Sequence, residues 1–348
     1  MNKSSSATTP MTGASVVASR STVINDYCRC NLAFSMTISR RDYHWKEDFD
    51  LVRRFLMDTY NLTHTFQNWI PSMFENIKYG PCGSEYNDEV EDRQIGIWEE
   101  TSSSSRPSSL RTIAVTNSST HGDSWIHIHP SYRHIEREIV RWLEEQRMKS
   151  RSAENPKLEL YFRVSVTDEE RRTLLKELGY EDAGLEECIQ VRPVSAPIPK
   201  CRLPKGFEIR QADLGRDFER YRAVQAAVFP HCARMTERLA RVYASAQFYN
   251  ADLDLVVVAP SGEFASFVTV RIDPVSRMAE LEPVGTHPDY RRHGLARAVI
   301  CEGFLRARKY RPVSMCIIGA AATEAANRLY ASVGFTQKTD VHLWKKIL

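Results

Sequence analysis

Two neighbouring groups of residues have the types and spacing to do chemistry. Arg291-Arg292-His293-Gly294-Leu295-Ala296 follows an apolar stretch and opens an amphipathic one, so it reads as the turn between a strand and a helix. A glycine-bearing turn there leaves backbone N–H groups unpaired, with the positive end of the helix dipole behind them. That is an anion site suited to a pyrophosphate: Gly294 lets the backbone approach, Ala296 keeps the first helical turn open, and Arg291 and Arg292 add charge. In the preceding strand, Glu280, Glu282, Val284 and Thr286 alternate onto one face if no bulge intervenes. Two carboxyls beside a cleft raise each other's pKa, so that one can accept a proton near neutral pH, directly or through water. Glu282 ranks first for that role and Glu280 second, while His287, just before Pro288, reads as support for the turn. The eight cysteines are scattered; only Cys28 and Cys30 lie close, and no C-x2-C pair or matching Cys/His spacing offers a metal site. Reduced thiols, no metal and a cytoplasmic location are expected.

These groups need a frame, and the sequence divides into two parts that could supply it. VRPVSAPIPKCRLPKG (191–206) holds four prolines, which remove backbone donors and fix φ, so a linker is placed at 193–205. Beyond it, Phe207–Arg210 reads as a strand, and Asp213 as the N-cap of a helix with Phe218, Tyr221, Val224 and Val228 on its apolar face. A second helix is expected over Thr236–Ala246, then strands at Asp254–Ala259, Phe264–Ile272 and Met278–Thr286 joined by short turns. A helix over Gly294–Lys309, a strand over Val313–Ile318 and a helix over Thr323–Val333, stopped at Gly334, complete the pattern. The fold class is α+β, a central and mostly antiparallel sheet flanked by helices.

The run Arg291–Ala296 resembles the R/Q-x-x-G-x-G/A pyrophosphate loop of the GNAT acyltransferase superfamily, and Leu329-Tyr330-Ala331-Ser332-Val333-Gly334-Phe335 resembles that family's L-Y-x-x-x-G-F helix, in the family's order and separation. The resemblance covers residues 205–348 well. It implies acetyl-CoA as co-substrate, held by Arg291, Arg292, His293, Gly294, Leu295 and Ala296 and by backbone groups of Val284, Gly285 and Thr286. It further implies Val284 N–H as the donor to the thioester oxygen and Tyr330 as the proton source for the departing thiolate. Thr323 stands where the family commonly has asparagine, yet can cap its helix.

The first half carries an echo of the second. His129-Pro130-Ser131-Tyr132-Arg133 repeats His287-Pro288-Asp289-Tyr290-Arg291 at an offset of 158, and Gly179-Tyr180 repeats Gly334-Phe335 at 155, which indicates a tandem duplication. In this alignment Glu136 and Glu138 replace Gly294 and Ala296, Leu175 replaces Tyr330, and Ser124 and Gly122 replace Glu282 and Glu280. Residues 25–192 are therefore expected to form a degenerate GNAT-like domain that binds no CoA and walls one side of the acceptor cleft, and residues 206–348 the catalytic one. Residues 1–24, rich in Ser and Thr, read as a disordered tail, with an organelle-targeting role as the alternative. TSSSSRPSS (101–109) reads as a hairpin tip, and the acidic stretch Glu85–Asp92 as a solvated loop.

Composition bounds the rest. At roughly 150 residues per domain, 348 residues favour two domains; 47 basic against 44 acidic residues leave +3, with 42% hydrophobic and 26% charged. This balance argues against a dedicated nucleic-acid binder, and no apolar run approaches the roughly 20 residues of a membrane span. The expected activity is N-acylation of a primary amine on a small molecule by direct attack in a ternary complex, by a monomer or homodimer. Phe229 and His231 are weak candidates for acceptor contact. The alternatives are a protein or peptide N-acetyltransferase and a CoA-binding sensor without turnover.

Overall fold

The computed structural model describes residues 36–66, 70–80, 95–102, 110–119, 121–152, 157–319 and 323–348. The expected tail, the acidic stretch 85–92 and residues 103–109 of the expected hairpin tip lie outside them.

One order of elements runs through the chain twice. The first half contributes β1 (Met36–Asp42), α1 (Trp45–Thr63), α2 (Pro71–Tyr79), β2 (Ile95–Ser102), β3 (Leu110–Ser118), β4 (Asp123–Ile128), α3 (Glu136–Lys149), β5 (Glu159–Ser165), α4 (Glu169–Glu177) and β6 (Glu181–Arg192). The second contributes β7 (Glu208–Gln211), α5 (Phe218–Val228), α6 (Glu237–Tyr243), β8 (Asp254–Val258), β9 (Phe264–Ile272), β10 (Met278–Thr286), α7 (Leu295–Ala307), β11 (Ser314–Ile317), α8 (Glu324–Ser332) and β12 (Gln337–Ile347). The α+β class and the duplication are as expected; the closing strands β6 and β12 are not in the sequence reading.

All twelve strands form one sheet in the order β1-β2-β3-β4-β5-β12-β6-β11-β10-β9-β8-β7. Neighbours are antiparallel except β4 with β5 and β10 with β11. The closing strands are exchanged: β12 pairs with β5 of the first half, β6 pairs with β11 of the second, and the two pair with each other.

Helices cover both faces. In the second half, α7 and α8 pack Val299, Phe304 and Tyr330 on Val268, Val270, Ala279 and Leu281, while α5 packs Phe218, Tyr221 and Val224 on Val256 and Phe267. All nine residues of β9 are buried, which is why it reads as a near-continuous apolar run. In the first half, α3 and α4 cover Ile126, Leu160 and Phe162, and α1 and α2 cover Ile95, Ile97 and Val115.

Local chemistry corrects two helix boundaries. Asp213 does not cap α5; its Oδ1 accepts from the N–H groups of Gly215 and Arg216 at 3.1 and 3.0 Å, closing a turn that delays the helix to Phe218. The next helix ends at Tyr243, short of Ala246, and is capped by Thr236, which accepts from Leu239 N–H. Thr323 caps α8 as expected, accepting from Ala326 N–H. The halves are joined by buried polar contacts: Arg53 pairs with Glu75 at 2.6 Å and with Asp273 across the boundary, and Ser72 reaches Glu280.

Candidate active site

The site grows from the place where β10 leaves its neighbour. β10 and β11 pair only over Met278–Glu280 with Ser314–Cys316, and beyond that a gap opens between them. On the other edge, β10 stays paired with β9, but the register shifts between Leu281 and Val284. This bulge breaks the expected single face. Val284 packs with Ala279 and Leu281 against the α7 core, whereas Glu280 turns to the opposite face and Glu282 stands at the bulge itself. Past the bulge, His287 N–H donates to Ala265 C=O at 2.9 Å, so ladder alternation points Gly285 N–H toward β9 and the N–H groups of Val284 and Thr286 into the gap. Position 285 must be glycine on packing grounds, because a Cβ would sit 2.4 Å from Phe267 Cζ and 2.9 Å from Val228 Cγ1.

At the end of β10 the chain makes the expected turn. Gly294 is the N-cap of α7 with φ 75°, Arg292 is left-handed at φ 68°, and no side chain caps the helix. Nothing lies within 4 Å of where a Gly294 Cβ would be, so the helix start faces open space. Arg291, Arg292 and His293 are exposed around it, Leu295 is buried beneath and Ala296 is half-buried. Arg291 Nε donates to Thr286 C=O at 3.3 Å, and His287 Nδ1 accepts from Asp289 N–H at 3.3 Å, supporting the turn.

Two titratable groups flank the gap. Glu282 is exposed at the bulge, yet the protein packed around its carboxyl desolvates it and pushes it up to about 7, with Arg271 opposing and the Glu280 charge adding. Tyr330 lies buried on α8 with its ring edge-on to Phe335 at 5.9 Å; burial and the Glu282 charge push its phenol up to about 12. Its hydroxyl makes no hydrogen bond among the described residues. Glu280 is tied down instead: Ser72 Oγ donates to it at 2.7 Å, and Arg271 lies 3.8 Å away. The Arg271 guanidinium is itself buried over the rings of Phe248 and Tyr243. Phe229 packs edge-on to Phe267 at 6.3 Å, which places the loop after α5 on the Gly285 side, and His231 is exposed beside it.

Arg271 and Ser72 were not foreseen. Pairing Phe264–Ile272 with Met278–Thr286 across the Asp273-Pro274 turn sets Arg271 opposite Glu280, a signal available in the sequence; nothing marks Ser72. Also unforeseen is a buried carboxyl beneath the sheet, Asp254, which accepts from Thr269 and Tyr249 at 2.9 and 3.0 Å and is raised to about 6 by burial.

The corresponding place in the first half is filled. The chain enters α3 through a 3-10 turn, Pro130–Ile135, without a left-handed residue. Glu136, 2% exposed, pairs with Arg171 and with Arg133 at 2.9 Å, and Arg133 pairs in turn with Asp168 at 2.7 Å. Glu138 is exposed, Leu175 is core and Ser124 is buried. A cavity of about 960 Å³ lies over the central strands, lined by Tyr60, His64, Arg133, Glu187, Ser314 and Thr339 among others, away from Glu282. Among the described residues, no His/Cys/Asp/Glu group could hold a metal ion, and no helix is long and apolar enough to cross a membrane.

Comparison with known proteins bears on this geometry. Residues 220–335 match the model of the acetyltransferase (GNAT) family. Mycothiol acetyltransferase of Salinispora arenicola is 30% identical over 172 residues, covering 47% of this chain and 55% of the relative. That of Thermobispora bispora is 31% identical over 157 residues, covering 42% and 52%. The chain thus spans about half the length of the curated relatives it matches. Among solved structures, a GCN5-related N-acetyltransferase from Sphaerobacter thermophilus superimposes with a TM-score of 0.58 at 17% identity, covering 89% of this chain and 95% of the other. A tandem GNAT protein from the clavulanic acid biosynthesis pathway, solved without acetyl-CoA, gives 0.61 at 13% identity, covering 89% and 98%. At these identities the structures show a shared fold.

Proposed function

From the premise that this chain belongs to the GNAT superfamily, its residues 220–335 matching the acetyltransferase family, we propose that it moves an acyl group from acyl-CoA, with acetyl-CoA the donor, to a primary amine of a small molecule by direct attack. The observation that carries this reading is the parting of β10 from β11 beside an uncapped, glycine-led helix start, with Tyr330 close enough to feel the Glu282 charge.

The residues fit the donor. The open space at Gly294 and the free helix N-terminus suit a pyrophosphate, with Arg291, Arg292 and His293 around it and Leu295 and Ala296 opening the helix. Val284, Gly285 and Thr286 line the gap where an extended pantetheine arm would lie, and Val284 N–H is aimed to donate to the thioester oxygen. When bound, acyl-CoA supplies the activated thioester carbonyl. Glu282 takes the proton that makes the amine nucleophilic; its raised pKa keeps it basic enough to do so near neutrality. Tyr330 holds its proton through neutral pH and can release it to the leaving sulfur. Glu280, held by Ser72 and Arg271, positions charge near Glu282.

The first half serves as architecture in this reading. Its Glu136–Arg171 pair occupies the place of a phosphate cradle, and its Ser72 touches the strand that carries Glu282. The alignment with mycothiol acetyltransferases supports a small-molecule acceptor. A thiol-release screen of acetyl-CoA against amines, aminoglycosides and peptides tests the proposal. Release with at least one small amine is expected; acetyl-CoA binding without release for any amine would replace the enzyme with a sensor.

A further inference from the structure

We propose that Cys201 and Cys301 form a reversible disulfide that clamps the proline-rich linker to α7, the helix whose N-terminus is the candidate phosphate site. Cys201 Sγ donates to Cys301 Sγ at 3.2 Å, although 100 residues separate them. Cys301 is 3% exposed in the core under the sheet, while Cys201 is half-buried at the linker surface, so one sulfur can meet an oxidant and the other waits behind it.

The approach is built by the surroundings. Buried Arg192 donates from Nε to Val333 C=O at 3.0 Å and from its Nη groups to the carbonyls of Pro193, Ala196 and Pro197, with its guanidinium 4.5 Å over the Phe304 ring. That arginine fixes the start of the linker to the end of α8 and to α7 at once. Ile198, Cys201 and Leu203 then pack on the same core as Cys301. The linker is thus fastened on both sides of Cys201, and the two sulfurs need close only the last ångström or so to reach bonding distance. Burial, the hydrogen bond from Cys201 and the charge of that thiol push the Cys301 thiol up to about 12, against the charges of Arg297 and Arg192, so Cys301 keeps its proton until it meets an oxidised Cys201.

The chemistry balances with a peroxide as oxidant. The Cys201 thiolate attacks the peroxide oxygen, the O–O bond breaks, and Cys201 becomes a sulfenic acid as hydroxide or alkoxide leaves. Cys301 sulfur then attacks Cys201 sulfur; the S–O bond breaks and water departs with the Cys301 proton. Two thiols are oxidised to one disulfide and one peroxide is reduced. A dithiol such as dithiothreitol reverses it.

Non-reducing peptide mapping of the full chain tests this. The reduced protein is treated with stoichiometric hydrogen peroxide, remaining thiols are alkylated in denaturant, and circular dichroism confirms that the treated protein is folded. The expected product is a peptide pair joining Cys201 to Cys301, lighter by two hydrogens than the separate thiol peptides, lost in both Cys201→Ser and Cys301→Ser and reversed by dithiothreitol. Over-oxidised Cys201 beside a free Cys301 thiol would overturn the proposal, as would cross-links of either residue to other cysteines or two thiols as free as in the untreated protein.

Discussion

Ser72, on the second helix of the first half, donates a 2.7 Å hydrogen bond to Glu280, 208 residues further on in the strand that carries Glu282. The contact is buried, and Arg271 Nη1 approaches the same carboxylate oxygen, Oε2, at 3.8 Å. A helix of the first half therefore helps set the charge around the candidate base of the other half.

Glu282→Gln should lower acyl transfer by about 10²–10⁴-fold, the usual contribution of a positioned general base. In the unsubstituted protein kcat/KM should rise with pH and level off above about 7, because the raised carboxyl must lose its proton to act. The glutamine variant should lack this limb. A pH–rate profile by thiol release checks both.

Glu280→Gln keeps an acceptor for Ser72 but removes a negative charge that raises the Glu282 pKa, and it frees the Arg271 charge to lower it further. Both changes have the same sign. The acid limb should move to lower pH with the plateau largely kept; an unmoved limb would separate Glu280 from the base.

Tyr330→Phe should slow turnover by about 10²-fold or more while leaving the unfolding temperature nearly unchanged, since the hydroxyl has no hydrogen-bond partner among the described residues and the ring stays in the core. Unaltered thiol release would remove Tyr330 from the proton-donor role.

Gly294→Glu should abolish acetyl-CoA binding in calorimetry, since it sets a carboxylate in the open cradle and forces a side chain into a left-handed conformation at about 1–2 kcal/mol. Glu136→Ala should leave that binding untouched. It should instead destabilise the fold by about 3–5 kcal/mol, because Arg171 is left as a buried charge with its main partner gone. Two molecules bound per chain would contradict the assignment of the first half.

Asp254 gives a stability prediction independent of catalysis. Its carboxyl ionises near 3.8 when unperturbed and near 6 in the fold, so between those values the folded state holds a proton that the unfolded state has released. Stability contributed by this group is therefore full below about 4 and is lost as pH rises toward 6, by on the order of a few kcal/mol. Asp254→Asn should flatten that fall in thermal melts taken across the window.

The glycine-led start of α7, most of the helix and strand order and the duplication are legible because each is a local pattern: a glycine where φ is positive, alternation in strands, a repeated HPxYR string. What escaped depends on partners far away in sequence. Pro283 and Gly285 mark an irregularity in β10, as the resemblance implies, but which residues change face there, with Val284 parted from Glu280, is set by register against β9. Glu181–Arg192 and Gln337–Ile347 were missed as strands because both are mostly polar along their length, and their pairing depends on which half they join. Ser72 is an ordinary serine until the fold sets it beside Glu280.

The exchanged strands carry a consequence for how such a chain is made. Residues 337–347 pair with the strand formed by residues 159–165, so on the ribosome the opening half must wait, with the β5 edge unpaired, until residues 337–347 are synthesised. Expressed separately, each half would lack a strand it needs and present an adhesive flank in its place. Co-expression of the two pieces should then restore a soluble complex where either piece by itself aggregates.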